Sequence, residues 1–314
     1  MAGDEKRVTP NPYVAMSHGS LITIIGGLAF IGFGVLPAVL IDDIRNSIPP
    51  IVNSAWNADY DSPDFRTYAP VAALLLFALA GAQLLLRGLL ALPASIRAWN
   101  ASRRWPDEPW RWDFPWATIG TSDTSVRRGD LLRTLLGAAI WLPPLNVPPV
   151  IWQSPMAFMV AMIDLIFALC IIGQMFVWIR RTKYGQAHIK FASFPFHAGE
   201  SVKLAISNST VVDQLRSLKA TLRLVEARTI RSGSSRGGSN TIYVETFAYT
   251  QQVLTGQQYW SGQPLEIVFN VPDSVQGNAI GPQGRYWELE VEGDTPGIDY
   301  GAKFLVPLYS ASKS

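Results

Sequence analysis

The stretch Met156–Phe191 reads MAFMVAMIDLIFALCIIGQMFVWIRRTKYGQAHIKF. Up to Ile179 it holds one charged residue, Asp164. At about 1.5 Å per residue this part is long enough to cross a hydrocarbon core of about 30 Å. Arg180, Arg181 and Lys183 close it, and from Ala187 apolar and polar residues alternate as in a half-buried strand. The sequence changes here from helix in lipid to strand in water.

On the N-terminal side, three further apolar segments precede this one. Ser20–Ile41 is uncharged, with Gly26, Gly27, Gly32 and Gly34 letting another helix approach closely and Pro37 bending the last turns. Ala69–Leu92 carries Arg87 near its end, read as a side chain that snorkels to the interface. Leu131–Trp152 is broken by Pro143-Pro144 and Pro148-Pro149. Counting it as a crossing brings Lys6 and Arg7, the arginines after the second span and the Arg180, Arg181, Lys183 cluster to one side. The expected topology is thus four transmembrane helices, with both termini cytoplasmic and the acidic loop holding Asp59, Asp61 and Asp64 outside.

Between the second and third spans lies RAWNASRRWPDEPWRWDFPW, Arg97–Trp116. Trp beside Arg is the composition of a headgroup-level belt, so Trp99, Trp105, Trp110 and Trp112 are expected as interfacial anchors. Pro106, Pro109 and Pro115 exclude a long continuous helix there. The expected organisation is a membrane region over residues 1–183, with an interfacial loop at 94–130, and a β-sandwich over 184–314.

In the C-terminal part, seven strand-like runs with turn signals between them suggest an all-β sandwich. In RYWELEVEG, Arg285–Gly293, the residues Trp287, Leu289 and Val291 share one face and Glu288, Glu290 and Glu292 the other. The acidic row is expected to be solvated. The linker RTIRSGSSRGGSN, Arg228–Asn240, joins two long strands as a hairpin tip. Its Arg228, Arg231 and Arg236 are candidates for contact with lipid headgroups or a partner.

Composition bounds the chemistry. The chain has 314 residues, 16 % of them charged, against roughly a quarter in a soluble domain. The net charge of +2 argues against nucleic acid as a partner. One cysteine, Cys170, and three histidines offer no metal-ligand pattern, and no catalytic constellation, cofactor fingerprint or P-loop is present. Asp164 is the candidate intramembrane functional residue, because a carboxylate within a span costs several kcal/mol unless paired or protonated. Gln83, Gln174 and Arg133 are its candidate partners.

Three segments, RRWPDEPWRWD (Arg103–Asp113), RRTKYGQAHIKFASFP (Arg180–Pro195) and YWELEVEGDTPGIDYGAKFLVPLY (Tyr286–Tyr309), resemble a family of bacterial inner-membrane proteins. The last also resembles the closing strands of arrestin-like or immunoglobulin-like sandwiches. The resemblance implies a multi-pass protein of the bacterial inner (cytoplasmic) membrane. The expected function is non-enzymatic: a cytoplasmic β-sandwich that binds another protein or scaffolds a complex. The alternative is a transporter or channel accessory subunit that uses Asp164.

Overall fold

A computed structural model describes residues 6–9, 11, 23–32, 65–125, 134–135, 137–138, 157–231, 239–279 and 284–310. The chain forms two compact units. One comprises Met1–His18, Ala98–Arg128 and Phe176–Ser314; the other comprises Gly19–Arg97 and Gly129–Met175.

The longest helical runs among the described residues are α1 (Thr23–Gly32), α2 (Phe65–Arg104) and α3 (Ala157–Tyr184). Helix α2 contains the expected second span and continues to Arg104, two residues before the Pro106 that cannot continue it. In the helical unit, α1 and α2 meet backbone to backbone. A Cβ on Gly27 would lie 2.5 Å from the Leu85 amide nitrogen, and one on Gly81 2.5 Å from that of Ile31. Such approach through glycine is how helices associate where no hydrophobic gain is available between them.

Among the described residues, one helix is long and apolar enough to cross a membrane, Ala161–Tyr184 within α3. The four expected crossings are therefore not shown. Most of the Leu131–Trp152 segment, and the first span outside Thr23–Gly32, lie outside the described residues. Helix α3 presents apolar side chains without cover: Phe158, Ile166, Leu169 and Ile172 are each more than half exposed. It ends at Gly185, in the left-handed conformation (φ 72°), whose N–H donates to Arg181 O at 2.7 Å.

The β unit is a two-layer sandwich. One sheet has the order β1 (Gly120–Ser122), β2 (Ala187–Phe191), β4 (Ser201–Asn208), β7 (Leu265–Asn270). The second has the order β6 (Ser239–Trp260), β5 (Val212–Arg231), β8 (Arg285–Asp294), β9 (Tyr300–Val306). A short parallel pair joins β3 (Phe196–His197) and β10 (Leu308–Tyr309). Inner-face residues fill the core: Ile189, Leu204, Ile206 and Phe269 from the first sheet, Leu222, Trp287, Leu289 and Phe304 from the second. Fully burying each such side chain contributes about 1.5–3 kcal/mol. The alternation read in β8 is present, with Trp287, Leu289 and Val291 all at 0 % exposure.

Two differences from the sequence reading concern what joins this sandwich. The Trp-rich segment belongs to the β unit, so the compact division does not fall at residue 183. Its Gly120–Ser122 pairs antiparallel with His188–Lys190, making it part of the first sheet. The outer face of the second sheet is also covered in part. Val8, Phe114 and Trp116 pack on Val225, Tyr286 and Leu305, and Arg7 bridges to Val244 at the β6 edge.

Candidate functional site

The covered outer face holds a buried ionic cluster where a solvated acidic row was expected. Arg223 and Glu288 are directly opposite on β5 and β8, at 3 % and 0 % exposure. Arg223 donates to Glu288 Oε1 from Nε (3.1 Å) and Nη2 (2.6 Å), and its Nη1 lies 2.6 Å from Glu290 Oε2. Glu245 on β6 lies 3.6 Å from the same Nη1, and Lys303 on β9 lies 3.1 Å from Glu290. Burial alone would lower the Arg223 pKa; the three carboxylates outweigh it and raise it further.

Residues distant in sequence complete the cluster. Asn11 Nδ2 donates to Glu288 Oε2 at 3.0 Å and to Thr124 Oγ1 at 2.8 Å. The Asn11 backbone N–H donates to Tyr286 Oη at 2.8 Å. Thr124 Oγ1 donates to Lys303 O at 2.8 Å. Lys6 stands 3.7 Å from Glu245. Glu245, Glu288 and Glu290 are thus met by Arg223, Lys303 and Lys6. The charges balance, and the arrangement clamps Lys6, Asn11 and residues 123–124 onto the sheet. Of the expected row only Glu292, farther along β8, is exposed, as is Asp294 beyond it.

A second polar group fixes the Trp-rich segment. Tyr309 Oη donates to both Asp113 oxygens (2.9 and 2.8 Å), and Trp116 Nε1 donates to Asp113 Oδ1 (3.1 Å) and Tyr309 Oη (2.7 Å). Burial pushes the Asp113 carboxyl up to about 6 against the pull of these donors. Burial, and then the Asp113 charge, raises the Tyr309 phenol far above its ordinary range. Trp110 stands edge-on to His197 (5.9 Å) and Tyr309 (5.6 Å).

Of the four expected anchors, Trp110 and Trp112 are half-buried; Trp110 packs on the sandwich, and Trp112 donates to Trp105 O at 3.0 Å. The guanidinium groups of Arg104 (4.9 Å) and Arg111 (5.0 Å) both stand over the Trp105 ring. Trp99 is 55 % exposed, with Arg103 at 3.8 Å from its ring. Trp99 alone of the four retains the exposure that a free headgroup anchor needs.

The remaining expected residues are dispersed. Asp164 lies half-buried on α3 in the helical unit. Arg228 pairs with Glu226 on its own strand at 3.2 Å. Arg236 and the Arg231 side chain lie outside the described residues. Among the described residues no group of three metal-ligating side chains converges. A groove of about 360 Å³ opens beside the ionic cluster, lined by Arg180, Lys219, Glu292, Asp294 and Asp299 among others. Arg180 reaches it from the last turn of α3 and donates to Ser125 Oγ at 3.3 Å.

No family model and no curated protein matches the chain. Among solved structures, the crystal structure of Spo0M, a sporulation control protein from Bacillus subtilis, is similar at 15 % identity. The match covers 40 % of this chain and 49 % of that one, with a TM-score of 0.29. The chain thus spans about half the length of that structure. The sandwich described above rests on its own strand pairing and core.

Proposed function

We propose that this is a membrane-anchored, non-enzymatic protein whose β-sandwich, of arrestin-like or immunoglobulin-like type, binds another protein or scaffolds a complex. One observation carries the reading: helix α3 leaves its apolar side chains uncovered, while its last residue is packed in the sandwich. Its last residue, Tyr184, is 4 % exposed; its hydroxyl bonds Thr295 and Ile298 O, and its carbonyl accepts from Asn208 Nδ2 at 2.6 Å. Uncovered apolar surface of this extent is unstable in water and suits lipid. A sandwich that follows such a helix directly in sequence suits display at a membrane surface.

The same reading takes four crossings and cytoplasmic termini from the distribution of basic loops, and the bacterial inner membrane from the resemblance stated above. Single-cysteine labelling from each side of sealed vesicles tests that topology, and a labelled residue on the opposite side removes it. The binding role is tested by mild-detergent co-purification of the full chain from its native membrane, beside a K219A/E292A groove variant. A stoichiometric protein that the variant loses is the expected result. If nothing co-purifies, and alanines across the sandwich surface leave the phenotype unchanged, the reading is dropped. Attention then moves to Asp164, where loss of an ion-dependent activity in Asp164→Asn would support a transport role.

A further inference from the structure

Strand edges in this sandwich are managed unequally. The β9 edge is capped: Thr124 N–H donates to Lys303 O (2.7 Å) and Lys303 N–H to Asp123 Oδ1 (2.9 Å). The β1 edge is three residues long, and β7 is short, carries Glu266 and lies between Pro264 and Pro272. These are ordinary devices against unwanted pairing. The β6 edge has one such cover, where residues 6–8 add to it. Val8 N–H donates to Tyr243 O and Glu245 N–H to Lys6 O, each at 3.0 Å. Beyond Glu245, no described segment pairs with this edge.

The uncovered part is guarded by neither charge nor proline. No Asp, Glu, Lys, Arg, His or Pro occurs from Thr246 to Gln263. Register shifts bound it near Leu224/Val225 and Leu218/Lys219, and between them Phe247–Gln252 pairs regularly with β5. The edge is thus straightest around Tyr249 and Thr250. Tyr249 leans from the inner face onto Phe269 (5.7 Å) but stays 48 % exposed, because no further described strand covers its outer side.

We infer that this stretch of β6 is a self-association edge, where a second copy pairs its own β6 antiparallel across a two-fold axis near Thr250. The axis brings like residues together, so any charge there would meet itself; the stretch has none. Two four-stranded sheets would join into one, and the two Tyr249 rings would lie on the same face and cover each other's flank. The pairing of residues 6–8 shows that the adjacent part of this edge already accepts an antiparallel strand. This goes beyond the proposed partner role, since self-pairing needs no second protein.

The test is the mass of the detergent-solubilised full chain, by light scattering across a dilution series, with two charge variants. T250K/Q252K and T250E/Q252E place like charges at the axis, on side chains that are exposed in the single copy. The expected result is a dimer for the parent chain, a dimer weaker by roughly tenfold or more for each variant, and recovery when the two variants are mixed. Recovery also shows that both variants are folded. A monomeric parent, charge variants that dimerise as tightly as the parent, or a mixture that stays monomeric would each overturn the inference. Retained capture of a partner by the monomeric variants would separate this edge from the binding role.

Discussion

The Arg223 guanidinium and the Glu288 carboxylate share two hydrogen bonds on the outer face of the second sheet, where neither has access to water. Taking a carboxylate out of water is costly, and here the cost is offset only because cation and amide donors surround it. Arg223→Met removes the cation from Glu288, Glu290 and Glu245 together. It is expected to destabilise the sandwich by about 3–5 kcal/mol, the range for breaking a buried pair. Glu288→Gln leaves Arg223 paired with Glu290 and is expected to cost about 1–2 kcal/mol. Denaturant midpoints followed by circular dichroism check the order, and equal losses would contradict it.

Asp113 gives a pH dependence of defined sign. Its folded pKa is raised from 3.8 to about 6, so the folded state holds the proton more tightly than the unfolded chain. Its contribution to stability is therefore full below about pH 4 and lost as pH rises through 6; over that window the change is about 3 kcal/mol at most. Asp113→Asn keeps an acceptor for Tyr309 and Trp116 and removes the titration. The variant should unfold at higher temperature than the parent at pH 7 and show a flatter profile between pH 4 and 6. An unchanged profile would mean that Asp113 is not the titrating group.

How far the sequence reached can be judged from β8. Trp287, Leu289 and Val291 announce a buried face by alternation alone, because a strand's period is local. Glu288 looks solvated on the same rule, since alternation reports which face a residue takes and not what covers that face. Its cover comes from Asn11, 277 residues away in sequence, and from Thr124. No local pattern carries such a contact. The Trp-rich segment misleads for a related reason. Trp beside Arg suits a membrane interface and a domain surface equally, and Gly120–Ser122 is too short a strand to show a period. The one usable signal is the apolar set Val8, Phe114 and Trp116, the last two in the segment read as an interfacial loop.

Gly120 controls whether that segment docks. A Cβ at this position would overlap Ile189 O, a backbone atom of the paired strand, so neither partner can yield cheaply. Gly120→Ala should separate β1 from β2 and loosen the Trp110 and Trp116 contacts, while the core of the two main sheets persists. Limited proteolysis is the direct measurement. New cleavage after Arg103, Arg104 or Arg111 with the sandwich fragment intact is expected, and a parent-like pattern would show that β1 is dispensable for docking.

In the helical unit, Gly27 and Gly81 face each other with no room for a side chain on either. The contact is made by backbone atoms, so a larger residue must part the helices rather than repack a flexible neighbour. Gly81→Leu should therefore separate α1 from α2. Gly26→Leu is the matched control, because a Cβ there meets nothing within 4 Å. Disulfide yields across a scan of cysteine pairs between α1 and the facing turns of α2, in a chain with Cys170 replaced by Ser, report the approach in membranes. Cross-linking should survive Gly26→Leu and fall sharply with Gly81→Leu. Equal yields in the two backgrounds would mean that other contacts, not the paired glycines, hold these helices together.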